Sequence, residues 1–386
     1  MKLSTRSLNS PPSGIREMFE LAKDYDNVVN LCIGEPGFTT PGNIINAAKK
    51  ALDDGYTKYT SNAGVIELRR ALARKFKIDN GIDADPDNSL IVTTGAGEAI
   101  ILTLLALIND GDEIIIPDPS WPNYLGHIAT AGGKVVPVTT YEEDGFILKA
   151  DAVKKAVTDK TKVIIVNSPS NPTGAVMTKE ELIEIGKIAK ENDIIVISDE
   201  PYEKIIYDGL THFSLASLEE FKDNVVTINS FSKTYAMTGW RVGYANGPQH
   251  IIKAMVKLQE NLSSCVNSVA QQACIEAISG KQDAVHKMVE EYKSRRNILI
   301  KGLNELEGVS CIVPKGAFYA FANIKALDMS SEDAAKAIIK EVQVVTTPGS
   351  AFGSAGEGYL RLSFASNTED IIEALSRFKK CSLFNK

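Results

Sequence analysis

The residues with the most chemical potential lie in one run: Ser230-Phe231-Ser232-Lys233-Thr234-Tyr235-Ala236-Met237-Thr238-Gly239-Trp240-Arg241. A lysine in open water is protonated and cannot attack a carbonyl. In a crevice that strips its water the ammonium pKa falls, and the free amine becomes a Schiff-base nucleophile. Ser230 and Ser232 add hydroxyls, and Arg241 adds a planar fork of N–H donors suited to a phosphate. Two other segments carry matching groups. Ser168-Pro169-Ser170-Asn171-Pro172-Thr173-Gly174 holds Asn171, and Asp199-Glu200-Pro201-Tyr202 holds a carboxylate and a phenol. Each of the three follows a short apolar run: KVIIVN (Lys162–Asn167), IIVIS (Ile194–Ser198) and VVTIN (Val225–Asn229). In open α/β sheets ligands gather at the carboxyl ends of strands, so the three segments are expected to converge.

An aldehyde cofactor on a pyridine ring needs this set. The amine forms the imine, the carboxylate keeps the ring nitrogen protonated, and the remaining donors face the phenolic oxygen. A fourth segment, Gly95-Ala96-Gly97-Glu98-Ala99-Ile100, follows a strand and opens a helix, with Asp118 after the next strand. It partly imitates a dinucleotide fingerprint. The third glycine position is Ile100, where close helix–strand packing calls for Gly or Ala. What survives is the simpler inference that the amides of Ala96 and Gly97, at a helix start, can hold a phosphate.

Several elements must position these groups. Strands are expected at Ser89–Thr94, Glu113–Ile116, Lys134–Val138, the three runs above, and Arg241–Ala245. Several are continuously apolar, the pattern of strands buried on both faces. Helical patterns such as Glu98–Ile108 and Lys179–Asn192 lie between them. The fold class is therefore α/β, with a large doubly wound, mostly parallel sheet over residues 45–285. Residues 286–307 read as one long amphipathic helix leading into a smaller α+β domain over 286–386, with strands Phe318–Phe321 and Tyr359–Ser363 and helices Ser331–Glu341 and Thr368–Lys379. Residues 1–44 form an N-terminal arm and part of that small domain.

Composition narrows the classes further. The chain has 386 residues, 44% of them hydrophobic and 24% charged, enough to bury a large core without staples. Its net charge of −7 argues against a general nucleic-acid binder. No apolar run approaches a membrane span, and the opening residues lack the apolar core of a secretory signal. Five scattered cysteines and four histidines fit neither a disulfide scaffold nor a common zinc site, so no metal is expected. The expected location is the cytoplasm.

These motifs resemble those of the class I/II aminotransferases, fold-type I enzymes dependent on pyridoxal 5′-phosphate. The resemblance runs from Leu31-Cys32-Ile33-Gly34-Glu35-Pro36, through Lys58-Tyr59-Thr60 with Gly64, to Tyr359-Leu360-Arg361-Leu362-Ser363-Phe364. It implies that Lys233 is the Schiff-base lysine and Asp199 the ring-nitrogen partner. Asn171 and Tyr202 would face the phenolic oxygen. Ser230, Ser232, Arg241 and the amides of Ala96 and Gly97 would hold the phosphate. Trp121 would stack on the ring, Gly34 would touch substrate through its backbone, and Arg361 would grip the α-carboxylate. Tyr59 would reach the phosphate of a partner subunit, which implies a homodimer. Pro12-Ser13-Gly14-Ile15-Arg16, followed by Met18-Phe19, is similar to the N-terminal segment of the prokaryotic aspartate and aromatic branch, where it helps close the site over substrate.

The implied reaction is amino transfer from an L-amino acid, aspartate or aromatic, to a 2-oxo acid such as 2-oxoglutarate, in ping-pong fashion through the pyridoxamine form of the cofactor. No second arginine is assignable to a substrate side-chain carboxylate, and Glu98 stands where some relatives place Gln. The alternative is a pyridoxal-dependent C–S β-lyase on the same fold. A nicotinamide dehydrogenase would rest on the Gly95 segment alone. A non-enzymatic regulator would need an added nucleic-acid-binding domain, for which no stretch outside the fold is long enough.

Overall fold

A computed structural model describes residues 3–8 and 14–385. The strand β1 (Val29–Asn30) lies apart from the main sheet. The main sheet contains β2 (Leu90–Thr93), β3 (Glu113–Asp118), β4 (Lys134–Thr139), β5 (Thr161–Asn167), β6 (Ile195–Asp199), β7 (Val225–Ser230) and β8 (Gly243–Asn246). Its order is β2-β8-β7-β6-β5-β3-β4. Every pairing is parallel except the two made by β8, which runs antiparallel to β7 and β2.

Continuous apolar runs bury both faces of this sheet. In β5, Ile164 and Val166 join one core cluster while Val163 and Ile165 join another, as period-two alternation requires. The helix Gly95–Leu107 packs with Gln249–Leu262 on the second face through Ile100, Leu104 and Met255. The helices Ile66–Lys75 and Lys179–Glu191 cover the first through Leu68, Leu72, Leu182 and Ile185. Thr178 begins the second of these as an N-cap, its hydroxyl accepting from the Glu181 amide at 3.2 Å.

Toward the C-terminus, β9 (Tyr319–Asn323), β10 (Val344–Val345), β11 (Thr347–Pro348) and β12 (Tyr359–Ser363) build two small sheets. The strands β11, β12 and β9 form an antiparallel sheet, and β10 pairs in parallel with β1. The N-terminal segment is thereby tied to the C-terminal part of the chain.

Among the element ends that differ from expectation, two have a visible cause. The long helix spans Asp283–Leu303 and stops short of residue 307. Asn304 ends it by exchanging two bonds with the Cys311 backbone, at 2.8 and 3.0 Å. The last strand of the main sheet begins at Gly243, because Arg241 adopts a left-handed φ of 55° that no strand accommodates.

Candidate active site

A cavity of about 520 Å³ opens at the carboxyl ends of β5, β6 and β7, with β12 and the segment around Gly34 closing its other side. Strand register sets its floor. Asn167 and Asp199, the last residues of β5 and β6, pair with each other, and Ser230, the last of β7, pairs with Gly243, the first of antiparallel β8, so these strand ends meet at one edge.

After β7 the chain turns into one helical turn, Phe231–Thr234, capped by Ser230, whose hydroxyl accepts from the Ser232 amide at 3.3 Å. Lys233 projects from that turn into the cavity, and its Nζ donates to the Gly34 carbonyl at 2.5 Å. Burial lowers its pKa to about 8; Glu35 opposes the shift, and Arg361 and Arg241 reinforce it. The carboxylate of Asp199 is only 4% exposed. Its Oδ2 accepts from the Tyr124 hydroxyl at 2.5 Å, and the Asn167 amide donates to its backbone carbonyl at 2.9 Å. Its Oδ1 is buried without a hydrogen-bond partner. Burial raises the Asp199 pKa to about 7; the Tyr124 bond opposes this and the Glu200 charge adds to it.

The Asn171 amide N–H donates to Asn167 Oδ1 at 2.9 Å, and its own Oδ1 accepts from Arg361 Nη1 at 2.9 Å. Tyr202 and Tyr319 share a hydroxyl–hydroxyl bond of 2.8 Å. Arg361, 1% exposed, also donates from Nη2 to the Cys32 carbonyl at 2.5 Å. Its guanidinium lies 4.5 and 4.7 Å from the ring centroids of Tyr319 and Phe352, which hold it in place. The remaining Nε–H of Arg361 has no partner.

Close backbone approach shapes the anion end. Gly95 has φ +79°, and a Cβ there would come 2.5 Å from Arg241 Nη2. A Cβ on Gly243 would lie 2.3 Å from the Gly95 carbonyl carbon and 2.5 Å from the Ala96 nitrogen. Ala96, Gly97, Ser230, Ser232 and Arg241 all line this end, and Trp121 forms a wall beside it. Glu98 turns back instead, accepting from the Thr94 amide and from the Ser263 hydroxyl. Ile100, which breaks the dinucleotide pattern, is fully buried in the core.

Of the residues singled out in the sequence, Gly34, Ala96, Gly97, Trp121, Asn171, Asp199, Tyr202, Ser230, Ser232, Lys233, Arg241 and Arg361 come together here. Tyr59 does not; it is 91% exposed and lies outside its own cavity. Ile15 belongs to the helix Gly14–Leu21, but its side chain, like Pro12 and Ser13, lies outside the described residues. Sequence reasoning missed Asn167, Tyr319 and Glu35, which line the cavity, and Tyr124, which supports it from behind. Two had a signal. Asn167 ends a strand, and Tyr124 lies three residues beyond Trp121.

The residues present fit pyridoxal 5′-phosphate. The partnerless Asp199 Oδ1 suits a protonated ring nitrogen, the low-pKa amine suits an aldehyde, and the glycine-lined end beside Arg241 suits a phosphate. Fold and pocket together define a pyridoxal-phosphate-dependent transferase built on an open α/β sheet. Comparison with known proteins makes this specific: the chain belongs to the aminotransferase family, its residues 26–378 matching the family model for aminotransferase class I and II. It is 45% identical to aromatic-amino-acid aminotransferase 2 of Thermococcus litoralis over 382 residues, 98% of each chain. It is also 45% identical to the aspartate aminotransferase of Pyrococcus abyssi, again over 98% of each. Among solved structures, an aromatic aminotransferase from Pyrococcus horikoshii superposes with a TM-score of 0.90 at 46% identity, covering 95% of this chain and 98% of that one. No observation favours the C–S β-lyase. No helix among the described residues is long and apolar enough to cross a membrane.

Proposed function

We propose that this aminotransferase takes its amino group preferentially from aromatic L-amino acids, with aspartate the poorer donor, and passes it to a 2-oxo acid such as 2-oxoglutarate. One observation carries the preference. The cations lining the cavity are Lys233, Arg241 and Arg361, and each has a task in holding cofactor or α-carboxylate. The described residues of this subunit offer no further cation there for a side-chain carboxylate, while Ile33, Trp121 and Tyr319 offer apolar and aromatic surface. Glu35 adds a negative charge to the lining. The relatives divide between the two names, aromatic and aspartate. The specificity constants for phenylalanine, tyrosine and aspartate, with 2-oxoglutarate as acceptor, test the reading. Burying an aromatic side chain should favour the aromatic donors by about tenfold or more. Equal or better use of aspartate contradicts it.

When bound, pyridoxal phosphate supplies an electron-withdrawing ring that stabilises the charge left on substrate Cα after its proton departs. The chain supplies the rest. Asp199 Oδ1 would hold the proton on the ring nitrogen through a charge-assisted bond. Asn171 and Tyr202 would donate to the phenolic oxygen. Ser230, Ser232, Arg241 and the amides of Ala96 and Gly97 would hold the phosphate, with Trp121 beside the ring. Arg361 orients substrate by its α-carboxylate, which aims the Cα proton at Lys233. The Lys233 amine takes that proton as general base and returns it as general acid. Its pKa of about 8 lets it serve both roles near neutral pH.

We also infer a homodimer in which Tyr59 reaches the partner's cavity; its 91% exposure outside its own cavity supports this. The grouping of the N-terminal arm with the C-terminal small domain is supported by the pairing of β1 with β10. Five free cysteines fit a reducing compartment such as the cytoplasm.

A further inference from the structure

Asp199 has two oxygens, and a ring nitrogen needs only one. A buried carboxylate with both oxygens free could rotate, or take up a proton and lose its charge. The structure restrains it from behind. Tyr124, on the helix Asn123–Ala131, is fully buried, and its hydroxyl donates to Asp199 Oδ2 at 2.5 Å. Its ring stands edge-on to Trp121, with centroids 5.3 Å apart, and its amide donates to the Trp121 carbonyl at 3.1 Å, so the turn leading into this helix carries both a cavity wall and the support of the carboxylate. The groups acting on Asp199 are Tyr124 from that helix, Asn167 from β5, and Glu200 and Tyr202 from its own segment.

We propose that Tyr124 is a positioning residue of the reaction: its phenol claims Oδ2 of Asp199 and so presents Oδ1, with its charge intact, to the cofactor ring. The inference rests on Asp199 being the ring partner. Burial and the Asp199 charge push the Tyr124 phenol well above its ordinary pKa, so it keeps its proton and acts as donor. Losing that donor leaves Asp199 more basic and less firmly oriented.

Tyr124→Phe keeps the ring and removes only the hydroxyl. Three measurements read it beside wild type and Asp199→Asn: carboxyl-carbon NMR titration of Asp199 in the apoprotein, and kcat and KM of the holoenzyme. In wild type, where burial pushes the Asp199 pKa up to about 7, the midpoint should fall there. Tyr124→Phe should raise it by about one unit. It should lower kcat about tenfold, with KM for the amino acid within about twofold. A residue that merely fills space would move neither the midpoint nor kcat alone. An unmoved midpoint, or a kcat within about twofold of wild type while Asp199→Asn is crippled, overturns the proposal. Full activity of Asp199→Asn removes the ring-partner assignment and this proposal with it, an outcome distinct from the first two. If Tyr124→Phe fails to fold, a fluorinated tyrosine at position 124 replaces it. That stronger donor should shift the midpoint down, and no shift overturns the proposal.

Discussion

Burial moves two cavity groups toward neutrality from opposite sides, Lys233 down to about 8 and Asp199 up to about 7. For the lysine the sign is direct: the reactive neutral amine gains population as pH rises through about 8. In the apoprotein, labelling of Lys233 by a neutral amine-reactive reagent should therefore rise about tenfold per pH unit below its pKa and flatten above it. An ordinary lysine keeps gaining reactivity up to about 10.4. A rate still climbing steeply past about pH 9 would contradict the depressed pKa. Arg361 makes a second residue-level prediction. Lysine at this position cannot reproduce the planar fork that holds Asn171 and the Cys32 carbonyl while offering further N–H groups to substrate. Arg361→Lys should lose about 2–3 kcal/mol in the specificity constant. The loss should appear with phenylalanine, aspartate and alanine alike, because all carry the α-carboxylate. A loss confined to aspartate would move Arg361 to the side-chain pocket.

Strand ends explain why so much of the site was legible. Asn171, Asp199 and Lys233 each follow a continuous apolar run, and parallel pairing brings the ends of β5, β6 and β7 to one edge. A sequence shows such runs directly. It does not show that Tyr319, in β9, meets Tyr202 across 117 positions, or that Tyr124 lies under Asp199 across 75. Those contacts depend on how separate elements pack, and neither Tyr319 nor Tyr124 carries a local signature of the partner it meets. Arg241 shows the converse: its role as a cavity cation was legible, while its left-handed backbone, which delays β8 to Gly243, was not. The close passage of β8 against the start of the helix Gly95–Leu107 is itself testable. Gly243→Ala would force a Cβ to within 2.3 Å of the Gly95 carbonyl carbon. The resulting shift should cost about 1–3 kcal/mol in apoprotein stability. It should also weaken cofactor binding, because the displaced amides are those proposed to hold the phosphate. Gly126→Ala is the control, since its Cβ meets nothing within 4 Å inside a helix. It should gain about 0.5–1 kcal/mol and leave cofactor affinity unchanged. Thermal unfolding of the apoprotein and a cofactor titration read both, and an unaffected Gly243→Ala would contradict the packing argument.

Across the whole molecule, the cavity joins parts of the chain that lie far apart in sequence. Asp199 ends β6 and Lys233 sits in the helical turn that follows β7 of the main sheet, whereas Gly34 follows β1 and Arg361 lies on β12. The bonds from Lys233 to Gly34 and from Arg361 to Asn171 span that junction, so the site is complete only when both parts pack together. Tyr59 extends the argument to a second subunit. Mixing Tyr59→Ala with Lys233→Ala and allowing subunit exchange should create hybrid dimers with one intact site and one doubly defective site. Activity should then recover toward about a quarter of wild type. A fully active monomer by sedimentation would contradict shared sites. The assignment of Lys233 as the residue that carries the cofactor underlies all of these arguments, and one measurement reaches it directly: borohydride reduction of the cofactor-loaded protein followed by peptide mapping. The reduced adduct should lie on the peptide containing Lys233. An adduct on any other lysine, or none in loaded protein, would contradict it.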